Sequence, residues 1–290
     1  MAKYTLDNLP IDKDQYKVIA LDLDDTLLRS DKTISDYTVK TLKKAQSQGY
    51  SIVIATGRHP KSAVRYMQML DCLNDNSYAI CFNGAGVVRL NEYVAFDSEV
   101  GYPLVCQESL NGAQAKELYA LAKENGCKCH AYSVERGLVI EDHNEHTQRE
   151  IDNGRVGFTE IDFSALDDNE KFFKLLIVGD KEVLDELEKR IPQKISAYFS
   201  VLRSEAHYLE FIPNHAHKGT GIESLCRTLG LSKDNAMAFG DAGNDLAMLV
   251  SAGLGVAMEN GFDYVKEAAD VVTKTNDEDG VAFLVNKFLK

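Results

Sequence analysis

Up to Phe82 the apolar residues fall in short continuous runs. Lys17-Val18-Ile19-Ala20-Leu21, Ser51-Ile52-Val53-Ile54-Ala55 and Tyr78-Ala79-Ile80-Cys81-Phe82 each end in polar residues, the pattern of strands buried on both faces. Between the first two runs, Thr38 to Gln48 carries apolar residues at helical spacing and stops at Gly49, a C-cap signal. Pro60 suits the first turn of a second helix. Strand, helix, strand, helix, strand predicts a parallel sheet covered by helices.

Beyond Gly84 the rhythm changes. Gly86 to Leu90 and Tyr93 to Phe96 read as a hairpin, Ala113 to Lys123 as a helix, and His130 to Ile140 as strand-rich. Glu145 to Ile151 reads as helix, Phe172 to Val178 as strand, Lys181 to Arg190 as helix, and Ile195 to Leu202 and Tyr208 to Ile212 as strands. The strict alternation returns at Lys218 with a helix to Leu229, a strand Ala236 to Gly240 and a helix Asp245 to Val250. A strand at Leu254 to Ala257, a helix ending near Ala269, a short strand at Val271-Val272 and a helix Gly280 to Leu289 follow. The expected fold class is α/β, a Rossmann-like parallel-sheet core interrupted by an inserted α+β domain.

Composition narrows the partners. Lys plus Arg number 32 against 45 Asp plus Glu, a net charge of −13, and a field of that sign repels polyphosphate backbones. A nucleic-acid partner is therefore not expected, whereas a small anion can still enter a cleft whose local cations reverse the potential. The N-terminal segment is polar, and no apolar run approaches the ~18 residues that span a bilayer. The expectation is a cytoplasmic protein with no membrane partner, as monomer or dimer. The six cysteines are scattered, and Cys127, Cys129 and His130 match no standard zinc spacing.

Four polar segments stand at predicted strand ends or helix starts, where open α/β sheets place ligands. The first is Asp22-Leu23-Asp24-Asp25-Thr26. Residues two apart on an extended segment face one way, so Asp22 and Asp24 would repel unless a cation such as Mg²⁺ or a proton separates them. The second is Thr56-Gly57-Arg58, whose hydroxyl and bare glycine amide suit a phosphate oxygen. The third is Lys218-Gly219 at a helix start, and the fourth is Gly240-Asp241-Ala242-Gly243-Asn244-Asp245, where Asp241 and Asp245 could supply or orient oxygen ligands. Each alone also reads as an ordinary cap or turn. His143 with His146, and His215 with His217, read more simply as exposed polar residues.

Together, in this order and spacing, the four segments resemble the haloacid dehalogenase superfamily of phosphotransferases, from about Tyr16 to the C-terminus. The resemblance implies Asp22 as nucleophile and metal ligand. It implies Asp24 as general acid and base with its backbone carbonyl on Mg²⁺, and Asp241 as a further ligand. Leu23, Thr56, Gly57, Lys218 and Asn244 would hold the phosphate, with Thr26, Asp245, Asn83 and Arg58 in support. About thirty residues separate Asp24 from Thr56, too few for an extra domain, whereas Thr56 to Lys218 leaves room for one. That position resembles the Cof-type branch, with Asn83-Gly84-Ala85 and Phe211-Ile212-Pro213 as crossing points. It implies a core of residues 1–84 and 214–290 and a specificity cap of residues 85–213. The implied activity is Mg²⁺-dependent hydrolysis of small phosphorylated metabolites through an aspartyl-phosphate, with a phosphomutase or other phosphotransferase on the same core as the alternative.

Overall fold

The computed structural model describes residues 2–91, 103–154 and 156–290. These divide into two compact units, residues 2–91, 103–106 and 217–290 in one and residues 107–216 in the other. In chain order the strands are β1 (Val18–Leu21), β2 (Ser51–Ala55), β3 (Tyr78–Cys81), β4 (Gly86–Arg89) and β5 (Leu104–Gln107). Next come β6 (Leu110–Asn111), β7 (Lys128–Ser133), β8 (Gly137–Ile140), β9 (Phe158–Glu160) and β10 (Lys171–Val178). The last five are β11 (Phe199–Glu205), β12 (Tyr208–Pro213), β13 (Ala236–Gly240), β14 (Leu254–Ala257) and β15 (Val271–Val272).

In the first unit the sheet order is β15-β14-β13-β1-β2-β3-β4-β5. Pairing is parallel from β15 to β3, and each of β1, β3, β13 and β14 is buried throughout. Such strands need apolar residues on both faces, which is why they lack alternation. One face packs Val18, Ala20, Val53 and Ala238 against Ile222, Leu225, Met248 and Leu249 of the helices Lys218–Thr228 and Leu246–Ser251. Because β13 and β2 flank β1 on opposite sides, the chain leaves the central strands in opposite directions. That switch point opens a crevice at the strands' carboxyl ends.

Two sequence expectations change here. Gly86–Arg89, assigned to the insert, pairs antiparallel with β3, so it extends the first sheet. Tyr93 to Phe96, the other half of that hairpin, lies outside the described residues. The segment before Tyr16, which the resemblance leaves out, packs on the core sheet: Tyr4 bridges to Val271 at the β15 edge, and Lys13 donates to the carbonyl of Leu289 at 2.5 Å.

The second unit holds a sheet of order β11-β12-β10-β7-β8-β9, with β6 also on β10. Its neighbours pair antiparallel except β8 with β9. One face buries Cys129, Ala131, Leu175, Ile177, Leu209 and Phe211 under Ala115, Leu118 and Ala122 of the helix Gly112–Glu124. The alternate residues of these strands point the other way, so His130 parts from Cys127 and Cys129, and the three do not converge on a metal. The strand expected from Ile195 begins only at Phe199. Pro192 caps a helical turn, Gln193–Ser196, in which the Ile195 amide donates to the Pro192 carbonyl at 2.8 Å.

Candidate active site

All the candidate residues lie in the first unit. β1 delivers Asp22 at its end, where the Asp22 amide donates to the Phe239 carbonyl at 3.1 Å and continues the ladder. The chain then leaves the extended path. Asp25 takes a left-handed backbone (φ 60°), which aspartate tolerates better than most residues, and the Leu28 amide closes the turn on the Leu23 carbonyl at 2.8 Å. Asp24, before that turn, is itself extended (φ −74°, ψ 128°), yet Asp22 and Asp24 bond to different partners.

Asp22 is buried. Lys218, the first residue of its helix, donates from Nζ to Asp22 Oδ1 at 2.5 Å and to Asp245 Oδ1 at 2.6 Å. The Lys218 and Asp245 side chains have no exposed surface. Asp245 Oδ2 accepts the amides of Asp241 and Ala242 at 3.0 Å each, so both of its oxygens are committed. Thr26 donates from Oγ1 to Asp241 Oδ1 at 2.8 Å. Oxygens of Asp22, Asp241 and Asp245 lie within 4.8 Å of one another. Burial and then the charge of Asp245 push the Asp22 carboxyl up to about 8, although Lys218 opposes this. Burial pushes Asp241 up to about 6. Burial works against the Lys218 charge, but the carboxylates of Asp22 and Asp245 outweigh it and raise its pKa.

Asp24 sits on the wetter side, with 38% of its side chain exposed. Arg58 Nη2 donates to Asp24 Oδ2 at 2.7 Å and Lys32 Nζ to Oδ1 at 3.2 Å. Thr56 is buried, its amide bonded to the Ile80 carbonyl at 2.8 Å and its Oγ1 accepting the Arg58 amide at 3.1 Å. A Cβ on Gly57 would stand 3.0 Å from the Asn83 amide group, so a side chain there would crowd Asn83. Asn83 is left-handed (φ 55°) and accepts from Asn244 Nδ2 at 3.3 Å. Gly84 (φ +102°) is required twice over, since a Cβ would stand 2.2 Å from the His217 carbonyl oxygen.

The site thus brings together Asp22, Lys218, Asp241, Asp245 and Thr26, and separately Asp24 with Arg58. Lys32 was missed, because nothing local in the sequence marks a lysine that folds back eight residues. Of the histidines considered, His217 caps its helix through Nδ1, which accepts the Thr220 amide at 3.1 Å. His146 stacks on His207 with ring centroids 4.8 Å apart, and His143 pairs with Gln148 at 2.9 Å.

A family model of haloacid dehalogenase-like hydrolases matches residues 19–285. The chain belongs to that family. YitU of Bacillus subtilis, a 5-amino-6-(5-phospho-D-ribitylamino)uracil phosphatase, is 33% identical over 284 residues, covering 94% of this chain and 96% of that one. YcsE of the same organism carries the same activity name at 30% identity, covering 92% and 93%. The crystal structure of a haloacid dehalogenase-like hydrolase from Bacteroides thetaiotaomicron is 31% identical with a TM-score of 0.80, covering 94% of this chain and all of that one. This haloacid dehalogenase-type hydrolase is a phosphatase, of the Cof-type branch. Among the described residues no helix is long and apolar enough to cross a membrane.

Proposed function

We propose that this phosphatase is Mg²⁺-dependent and passes the phosphoryl group of a small sugar or polyol phosphate through Asp22 to water. The observation that carries the reading is the divergence of two carboxylates only two residues apart. Asp22 is buried on Lys218, and Asp24 is half-exposed on Arg58 and Lys32. Contrasting surroundings are how one site assigns different roles to like groups.

The donor set fits Mg²⁺. Among the described residues, Asp22 and Asp241 each have one oxygen engaged, by Lys218 and by Thr26, and the other in reserve. Buried carboxylates with raised pKa values are groups a hard dication would relieve. Asp22, Asp241 and the main-chain carbonyl of Asp24 would hold the ion, which when bound offsets the negative charge of phosphate and carboxylates. Lys218 adds a fixed positive charge. Thr56, the backbone of Leu23 and Gly57, and Asn244 would hold phosphate oxygens. Asp245 positions Lys218 and the Asp241 loop, while Asn83 positions Asn244.

In the first half-reaction a carboxylate oxygen of Asp22 bonds to phosphorus as the bond to the leaving oxygen breaks, and Asp24 gives that oxygen a proton. In the second, water loses a proton to Asp24 and attacks the same phosphorus. Inorganic phosphate leaves and Asp22 is regenerated. We assign the second unit, residues 107–216, as a specificity cap, with Gly86–Arg89 left to the core sheet. The relatives' activity makes 5-amino-6-(5-phospho-D-ribitylamino)uracil, the phosphate ester of a polyol chain, the first substrate to try.

Asp24→Asn tests the scheme. With p-nitrophenyl phosphate, whose phenolate leaves without a proton, a burst of about one phenolate per enzyme and then slow turnover is expected, with phosphate held on Asp22. Mass spectrometry of acid-quenched protein reads the adduct. Steady hydrolysis without burst or adduct points to direct attack by water and removes both aspartate roles.

A further inference from the structure

The Asp24 carboxylate is held from both sides, and only one of its holders stands in the motif segments. Arg58 follows Thr56-Gly57. Lys32 comes from a separate turn that is itself tightly fixed. Its amide donates to the Arg29 carbonyl at 2.8 Å, the Arg29 amide returns to Thr33 at 3.0 Å, and Asp31 Oδ1 accepts from the Thr33 amide at 2.9 Å and hydroxyl at 2.6 Å. The turn is pinned to the chain before the last helix. Arg29 donates twice to Asp279, at 3.2 and 2.7 Å, and Ser30 twice to Asp277, at 2.9 and 2.8 Å. Lys32 itself is left-handed (φ 64°), a conformation a long side chain adopts only where its surroundings impose it. The result aims Nζ at Asp24 Oδ1, 3.2 Å away, with Asp25 Oδ1 3.8 Å away. More than half of the Lys32 side chain is exposed, so packing of the lysine itself does not account for its placement.

We propose that Lys32 is a positioning residue for Asp24, which, with Arg58, fixes the carboxyl group at the place where the leaving oxygen departs. The proposal rests on the acid and base role assigned to Asp24 above. Arg58 approaches Oδ2 and Lys32 approaches Oδ1. Each carboxylate oxygen has two lone-pair sites, so both contacts leave room for a third partner. Without Lys32 the carboxyl can turn about its last torsion around the Arg58 contact. The leaving oxygen then meets a misplaced group, which lowers kcat/KM, the measure of the steps up to departure, only where departure needs a proton; the base role of Asp24 toward water shows in kcat.

Leaving-group dependence separates this from a merely structural lysine. In Lys32→Met, kcat/KM for phenyl phosphate should fall about 10- to 30-fold, a part of the roughly 10²–10⁴-fold available to general acid catalysis. For p-nitrophenyl phosphate it should fall less than about 3-fold, because that phenolate needs little protonation. Lys32→Arg should recover most of the phenyl phosphate activity. Equal losses on both esters, or none on either, overturn the proposal, and thermal melting identifies a variant that has merely unfolded. If the wild type turns over neither ester, the phosphatase mechanism fails first. The positioning role is then decided by a crystal structure of Lys32→Met, where an unmoved Asp24 side chain overturns it.

Discussion

Both units bury a lysine against carboxylates, but with different balances of charge. In the first, Lys218 bridges Asp22 and Asp245 with Asp241 beside them, three carboxylates to one ammonium. In the second, Lys174 meets Glu210 at 3.0 Å and stands 5.4 Å from the centre of the Tyr132 ring, one carboxylate in direct contact with one ammonium. Tyr132 in turn donates to Glu150 at 2.6 Å, and Tyr208 to the carbonyl of His146 at 2.7 Å. A matched pair with satisfied neighbours can be sealed into a fold. A surplus of buried negative charge calls for a cation or protons from outside, and the raised pKa values of Asp22 and Asp241 express that demand. One cluster invites a cation, the other ties strands β7, β10 and β12 together.

Metal removal probes the unbalanced cluster most severely. Stripping with EDTA should lower kcat/KM at least ~10⁴-fold, about 5.5 kcal/mol of transition-state stabilisation, and added Mg²⁺ should restore it. Full turnover in metal-free buffer would mean that Lys218 alone balances the site.

The balanced cluster should show its charge in stability. Lys174→Met strands a buried carboxylate and should destabilise the protein by roughly 3–5 kcal/mol in urea titration, whereas Lys174→Met with Glu210→Leu should recover most of the loss. A double variant no better than the single one would show that the pair is not the unit that matters.

For Lys218→Ala the expected loss in kcat/KM on p-nitrophenyl phosphate is at least ~10²-fold, about 2.7 kcal/mol. A near-wild-type value in folded protein would place the neutralising charge elsewhere.

The smallest effect concerns His130, which is fully buried, its Nδ1 without a hydrogen-bond partner among the described residues and its pKa pushed down to about 3, chiefly by burial. Between that value and its ordinary one near 6.5, the unfolded chain binds a proton that the folded one refuses. Stability from this group is therefore complete above about pH 6.5 and falls as pH drops, by about 2 kcal/mol from pH 7 to 5. His130→Phe should lose that slope. An unchanged slope in urea titrations at the two pH values would assign it to other groups.

The parallel sheet and the candidate site were legible for a local reason. A strand buried on both faces must be apolar along its whole length, and a strand end that holds an anion must turn polar at once, as Leu21 to Asp22, Ala55 to Thr56 and Gly240 to Asp241 do. Short-range spacing carried both signals, and the order of the segments carried the family resemblance. Pairings across the chain were decided only by the tertiary structure. Asp245 stood among the supporting residues, but that Lys218, 27 residues earlier in the chain, lies on its Oδ1 was visible in neither segment. Only the fold brought Arg58 and Lys32, 34 and 8 residues away, to the two oxygens of Asp24. Register alone set Lys174 opposite Tyr132 and Leu176 between His130 and Glu210, so that polar residues of three strands met on one buried face. A charge inside an apolar run shows in sequence as an interruption. Whether it is relieved depends on strands that meet only once the chain has folded.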